Sequence, residues 1–146
     1  SIPKTLVKYL IEWYAIESGK EKPKLQETLL DIINTPISPE LLPTDGKKVV
    51  QKTEGTVGPY EVIDFFIYNF LRKKFSRDKI LYLANIAFNG KYSSEELSKY
   101  YDSFITRFFN NQFKRNCIPD GPKVGTVSVS PRGDLRLPSD ADSSNW

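Results

Sequence analysis

YEVIDFFIYNFLRKKF, residues 60–75, carries apolar side chains around most of a helical circumference: Val62, Ile63, Phe65, Phe66, Ile67, Phe70 and Leu71. A helix of that kind is buried on several sides, so other elements must surround it. The flanking sequence supplies helices. Downstream, the pattern predicts one over residues 77–88 after a Ser76 cap, and one over 94–116 after a Ser93 or Ser94 cap, with Glu95 and Glu96 in its first turn. Upstream, Pro3 and Thr5 start a helix with Leu6, Leu10, Trp13 and Tyr14 at helical spacing, and Gly19 and Pro23 end it. Another runs over 24–34, with Leu25, Leu29, Ile32 and Ile33 on one face, and stops at Thr35 because a residue before proline disfavours helix. Residues 36–59 hold four of the ten prolines and three of the eight glycines and read as a loop.

Fifteen of the nineteen aromatic residues fall between Tyr60 and Phe113, which places the core there. Beyond it, residues 119–146 contain four prolines, three glycines and only seven apolar residues, too few to offset their ordering entropy by burial. That arm must lie on something, and the helices offer limited material for enclosure, so a larger covering body is expected. The expected fold is mainly α within one domain of residues 1–146: a helical part over about 3–116 and an arm over about 117–146. At most a short β-segment is expected over 124–130, where Val124, Val127 and Val129 partly alternate with polar residues.

Composition removes several kinds of chemistry. The chain has no histidine, so the usual general base, the Ser-His and Cys-His nucleophile pairs and the commonest zinc ligand are missing from it. A single cysteine, Cys117, excludes an internal disulfide. A net charge of +3, from 21 basic and 18 acidic residues, is too small to mark a nucleic-acid binder. No apolar run approaches the roughly 18 residues of a membrane span. The expectation is a cytoplasmic chain with neither nucleic acid nor membrane as partner. Self-association through the broadly apolar helix around Phe65 and Phe70 is also expected.

Charge-bearing motifs gather at the end of the chain. Lys114 and Arg115 close the last helix, where cations complement the macrodipole, and Lys123, Arg132 and Arg136 decorate the arm. They suggest a surface for an anionic ligand or a partner domain. Phe108, Phe109 and Phe113 could stack on bases, but aromatics at helical spacing are far more often core. Cys117 has cations nearby and no base beside it, so a passive, half-buried thiol is expected. Glu40 and Glu54 are loop carboxylates suited to magnesium, with solvated acids as the plainer reading.

The order of these blocks along the chain points further than any one of them. SIPKTLVKYLIEW at the start, TPISPELLP, the Gln51-x-Thr53-Glu54-x-x-x-Gly58-Pro59-Tyr60 run, and QFKRNCIPDGPKVG followed by SPRGDLRLPSD together resemble the C-terminal part of the synthetase domain of glutamine-dependent NAD synthetases. Two departures are Leu135, where that family commonly has tryptophan, and Asn116 in place of a frequent serine.

The resemblance implies a ligase in which ATP adenylates the nicotinate carboxylate of deamido-NAD and ammonia displaces AMP. It implies an α/β, adenine-nucleotide α-hydrolase-like parent domain that uses ATP and Mg2+, with ammonia supplied by a glutaminase domain. It implies that Lys114 of the QFKR block binds deamido-NAD, and that Arg115, Asp134 and Arg136 lie near the active site. Ser38 and Glu40 resemble a loop that approaches ATP. The Ser-Gly-Gly-x-Asp-Ser phosphate motif of that family does not occur here, so the chain is expected to be an excised portion, inactive alone and holding no cofactor. The alternative is a non-catalytic helical interaction module with a basic docking arm. Single-stranded nucleic-acid binding is a remoter third.

Overall fold

A computed structural model describes residues 2–35 and 58–144, and these divide into two compact units, residues 3–60 and residues 61–146 together with the first two. Among the described residues six helical elements appear: α1 (Lys4–Gly19), α2 (Pro23–Asn34), α3 (Tyr60–Ile67, continued by a π-helical turn Tyr68–Arg72), α4 (Arg77–Ala87), α5 (Ser94–Asn110) and α6 (Gln112–Cys117). No strand forms among the described residues. The chain is mainly helical, as its periodicity predicts. The valines of residues 124–130 take no part in a ladder.

In the first unit, α1 and α2 pack as a helical hairpin. Pro23 stands at the first helical position of α2, where its missing N–H costs nothing, and Thr35 leaves α2 in extended geometry ahead of Pro36. The face that α1 turns to its partner is small-featured: Ala15 is fully buried, and a Cβ on Gly19 would run into the Gln26 side chain. The larger stripe of Leu6, Leu10, Trp13 and Tyr14 is outward, as is Ile32 on α2, whereas Leu25, Leu29 and Ile33 are half-buried. The helical spacing of that stripe was right. Its side was decided by small residues that allow close approach.

The second unit is organised on α3. Val62 and Phe66 are fully buried, and the π-helical turn sets both Phe70 and Leu71 inward in succession. Asn69, also buried, satisfies its amide on the Phe65 carbonyl at 2.9 Å. Phe66 meets Tyr101 edge to face with centroids 5.3 Å apart, and Phe70 meets Phe108 at 5.6 Å. The buried side chains of α3 therefore share one core with residues of α4, α5 and the arm of the same chain.

Local signals set the boundaries of α4 and α5. Ser93 caps α5 through a reciprocal box: Glu96 N–H donates to Ser93 Oγ at 3.2 Å, and Ser93 N–H donates to the Glu96 carboxylate at 2.8 Å. Ser76 precedes α4 but makes no side-chain cap, and Arg77 instead pins that helix start to α5 through Asp102 at 3.0 Å and Ser98 at 2.8 Å. The helix expected over 94–116 is two helices. The break falls at Asn111, whose side-chain amide donates to the Arg107 carbonyl at 2.8 Å beside its own backbone N–H at 3.1 Å.

Residues 119–144 run irregularly over this unit. Val127, Val129, Leu135, Leu137 and Ala141 pack against the core, and Ser128 is buried beneath them. The support that the arm needs is thus found within its own chain.

Candidate functional site

The QFKRNC block forms α6, a helix of six residues whose two sides do different work. Residues three and four apart share a helical side, so Gln112, Arg115 and Asn116 group together, as do Phe113, Lys114 and Cys117. The first set faces inward. Gln112 is 1% exposed, its Nε2 donating to Asn116 Oδ1 at 2.9 Å and to the Leu137 carbonyl at 3.2 Å. Arg115 donates to Gln112 Oε1 at 2.6 Å and to the Phe108 carbonyl, and its guanidinium lies 4.0 Å over the Phe108 ring. Burial pulls the Arg115 guanidinium below its ordinary value. It acts as an internal brace, with its donors turned toward its own helices.

The other side is exposed. Lys114 points outward with its ammonium 5.9 Å from the Phe113 ring centroid, Phe113 is 50% exposed, and Cys117 is exposed rather than half-buried. Phe108 and Phe109, by contrast, are core residues, so the three phenylalanines do not form a common stacking platform. An exposed ammonium beside an exposed ring is suited to holding an anionic, partly aromatic ligand.

Within the arm, the charges largely satisfy each other. Asp134 accepts from Lys123 Nζ at 2.7 Å and from Ser128 N–H at 2.6 Å. The Lys123 hydrogen bond, with that of the Ser128 amide, holds the Asp134 carboxyl below its usual range. Arg132 pairs with Asp120 at 3.0 Å and donates to the Ile118 carbonyl at 3.4 Å. Gly133 fits closely against Ser128, where an added Cβ would approach to 2.9 Å. Arg136 remains exposed. Lys123 and Arg132, which the sequence suggests for a surface meeting an anionic ligand or a partner domain, are each paired with an acid of the arm.

A cleft of about 190 Å³ opens between α6 and the arm, lined by Arg115, Ile118, Pro119, Gly121, Pro122, Ser128, Val129 and Ser130. Of the residues singled out from sequence, only Arg115 borders it. Lys114, Asp134 and Arg136 lie elsewhere on this unit. Ser38, Glu40 and Glu54 lie outside the described residues. No group of acidic or cysteine side chains suited to a metal occurs among the described residues. No helix there is long and apolar enough to cross a membrane. Sequence reasoning overlooked Gln112 and Asn116, although their spacing with Arg115 was a legible sign of a shared inward side.

No family model matches the chain. Among curated proteins it is similar to the glutamine-dependent NAD(+) synthetases of Mycobacterium leprae (strain TN), Mycobacterium bovis and Mycobacterium tuberculosis (strain H37Rv), at 37% identity over 163 residues in each case. The likeness covers 99% of this chain and 24% of each relative, so the chain spans about a quarter of the length of the curated relatives it matches.

Proposed function

We propose, from kinship with glutamine-dependent NAD(+) synthetases along 99% of its length, that this chain is the C-terminal portion of the synthetase part of such an enzyme and supplies one wall of its deamido-NAD site. The parent domain is α/β on this reading, with its strands and its ATP-phosphate loop in polypeptide beyond these residues. ATP, with Mg2+, transfers AMP to the nicotinate carboxylate and releases pyrophosphate; ammonia from a glutaminase domain then attacks the acyl carbon and AMP leaves. A carboxylate oxygen is a poor leaving group, and adenylation makes it a good one. The setting is cytoplasmic, the parent self-associates, and the 146-residue chain alone is inactive.

The observation that carries the reading is the outward face of α6. The helix spends Gln112, Arg115 and Asn116 on its own chain and leaves Lys114 exposed. Lys114 is assigned to the anionic dinucleotide, Arg136 to its vicinity, and Arg115 and Asp134 to holding the surrounding structure. The Ser38 and Glu40 loop is assigned to ATP. In the parent enzyme, Lys114→Ala should weaken deamido-NAD binding by about 1.5–3 kcal/mol, the range for a hydrogen bond to a charged group. Unchanged affinity would remove Lys114 from the site.

The rival reading, a basic docking arm, is disfavoured by the pairing of Lys123 with Asp134 and of Arg132 with Asp120. Those cations are already partnered.

A further inference from the structure

We infer that Asn116 is a positioning residue for the proposed site: with Gln112 it latches the arm to the inward side of α6, so that Lys114 and Arg136 are carried by one rigid piece. The inference rests on the synthetase reading for its catalytic consequence and on the hydrogen bonds alone for the latch.

Both ends of the Asn116 amide are used. Its Oδ1 accepts from Gln112 Nε2 at 2.9 Å, and its Nδ2 donates to the Leu137 carbonyl at 3.3 Å and to Ser139 Oγ at 2.8 Å. The Leu137 carbonyl also receives Gln112 Nε2 at 3.2 Å, so two side-chain amides converge on one backbone oxygen. The Leu137 side chain packs against the core from the same stretch. Residue 136 directly precedes this anchored peptide, and Lys114 lies between the two latch residues in the helix. A serine at 116 would have a single hydroxyl donor and could not hold Leu137 and Ser139 together while accepting from Gln112. Asn116 is therefore matched to three partners, two of them on the arm.

Two variants test the latch in the 146-residue chain by trypsin cleavage after Arg136. Asn116→Leu keeps the branched shape and removes both ends of the amide; Ser139→Ala removes only the hydroxyl on the arm. Cleavage should accelerate roughly tenfold in the first and several-fold in the second, as expected for losing hydrogen bonds of ordinary strength. Amide exchange over residues 104–109 should be unaltered in Ser139→Ala, which separates release of the arm from loss of the core. Unaltered cleavage in both variants overturns the latch.

In the parent enzyme, Asn116→Leu should raise KM for deamido-NAD about five- to tenfold with kcat within about twofold, and Asn116→Ser should fall between it and the native enzyme. Faster cleavage with KM unmoved would overturn the positioning role. A native parent that makes no NAD from deamido-NAD, ATP and ammonia would instead overturn the synthetase reading, while the cleavage result still decides the latch.

Discussion

The Lys123 ammonium lies 2.7 Å from the Asp134 carboxylate, which also receives the Ser128 amide, so the stretch of arm between positions 123 and 134 is closed into a loop by one acid. Asp134 ionises more readily in the folded chain than in the unfolded one, because the hydrogen bond from Lys123 favours its charged form. A carboxyl lowered in this way contributes stability that is fully present above the ordinary aspartate value of 3.8 and is lost as pH falls through its lower folded value. Amide exchange over residues 123–134 should therefore be slow near neutrality and accelerate, beyond the intrinsic pH trend, only in the acid range. Asp134→Asn should remove that acid-range step and loosen the loop at pH values above it, with a global cost below about 1 kcal/mol because the pair is partly exposed.

Lys114 and Arg115 are neighbours with opposite duties, and stability measurements separate them. Lys114→Ala, at an exposed position, should leave urea unfolding of the chain within about 0.5 kcal/mol of native. Arg115→Ala should cost about 1–3 kcal/mol, since the Phe108 carbonyl and the buried Gln112 amide oxygen lose a charged donor. Equal costs for the two variants would contradict the division of α6 into an inward and an outward side.

The capping box at the start of α5 should be measurable by itself. Ser93→Ala removes the acceptor for the Glu96 amide and should destabilise the second unit by about 1 kcal/mol in chemical denaturation. Ser76→Ala, which removes no side-chain cap bond, should cost distinctly less.

Phe66 joins α3 to α5 through Tyr101 and Phe104 and is fully buried. Phe66→Ala should cost about 3–5 kcal/mol, enough to unfold much of a domain of this size. Ile2→Ala or Tyr82→Ala, at exposed positions, should change the melting temperature little.

Much of the helical architecture is local physics and was readable along the chain. Pro23 at a helix start, Thr35 ahead of a proline, and the Ser93 and Glu96 pair each bias a few neighbouring dihedrals, so they mark boundaries without reference to anything distant. The apolar circumference of α3 likewise announced a buried helix. The blocks that resemble the synthetases were readable too, including the lysine proposed to meet the dinucleotide.

Other features depended on partners far away in sequence. Helical spacing groups Leu6, Leu10, Trp13 and Tyr14 but is indifferent to which side of α1 meets α2; Ala15 and Gly19 decided that by permitting close approach. The break falls at Asn111, whose backbone N–H and side-chain amide both donate to the Arg107 carbonyl. The arm looked unsupported because its own apolar content is low, yet five of its residues find the aromatic core and its charges find one another. Hydrogen bonds such as Asn116 to Ser139 link positions 23 residues apart. Composition cannot encode such a pairing, since its energy exists only after the helices have brought both ends together.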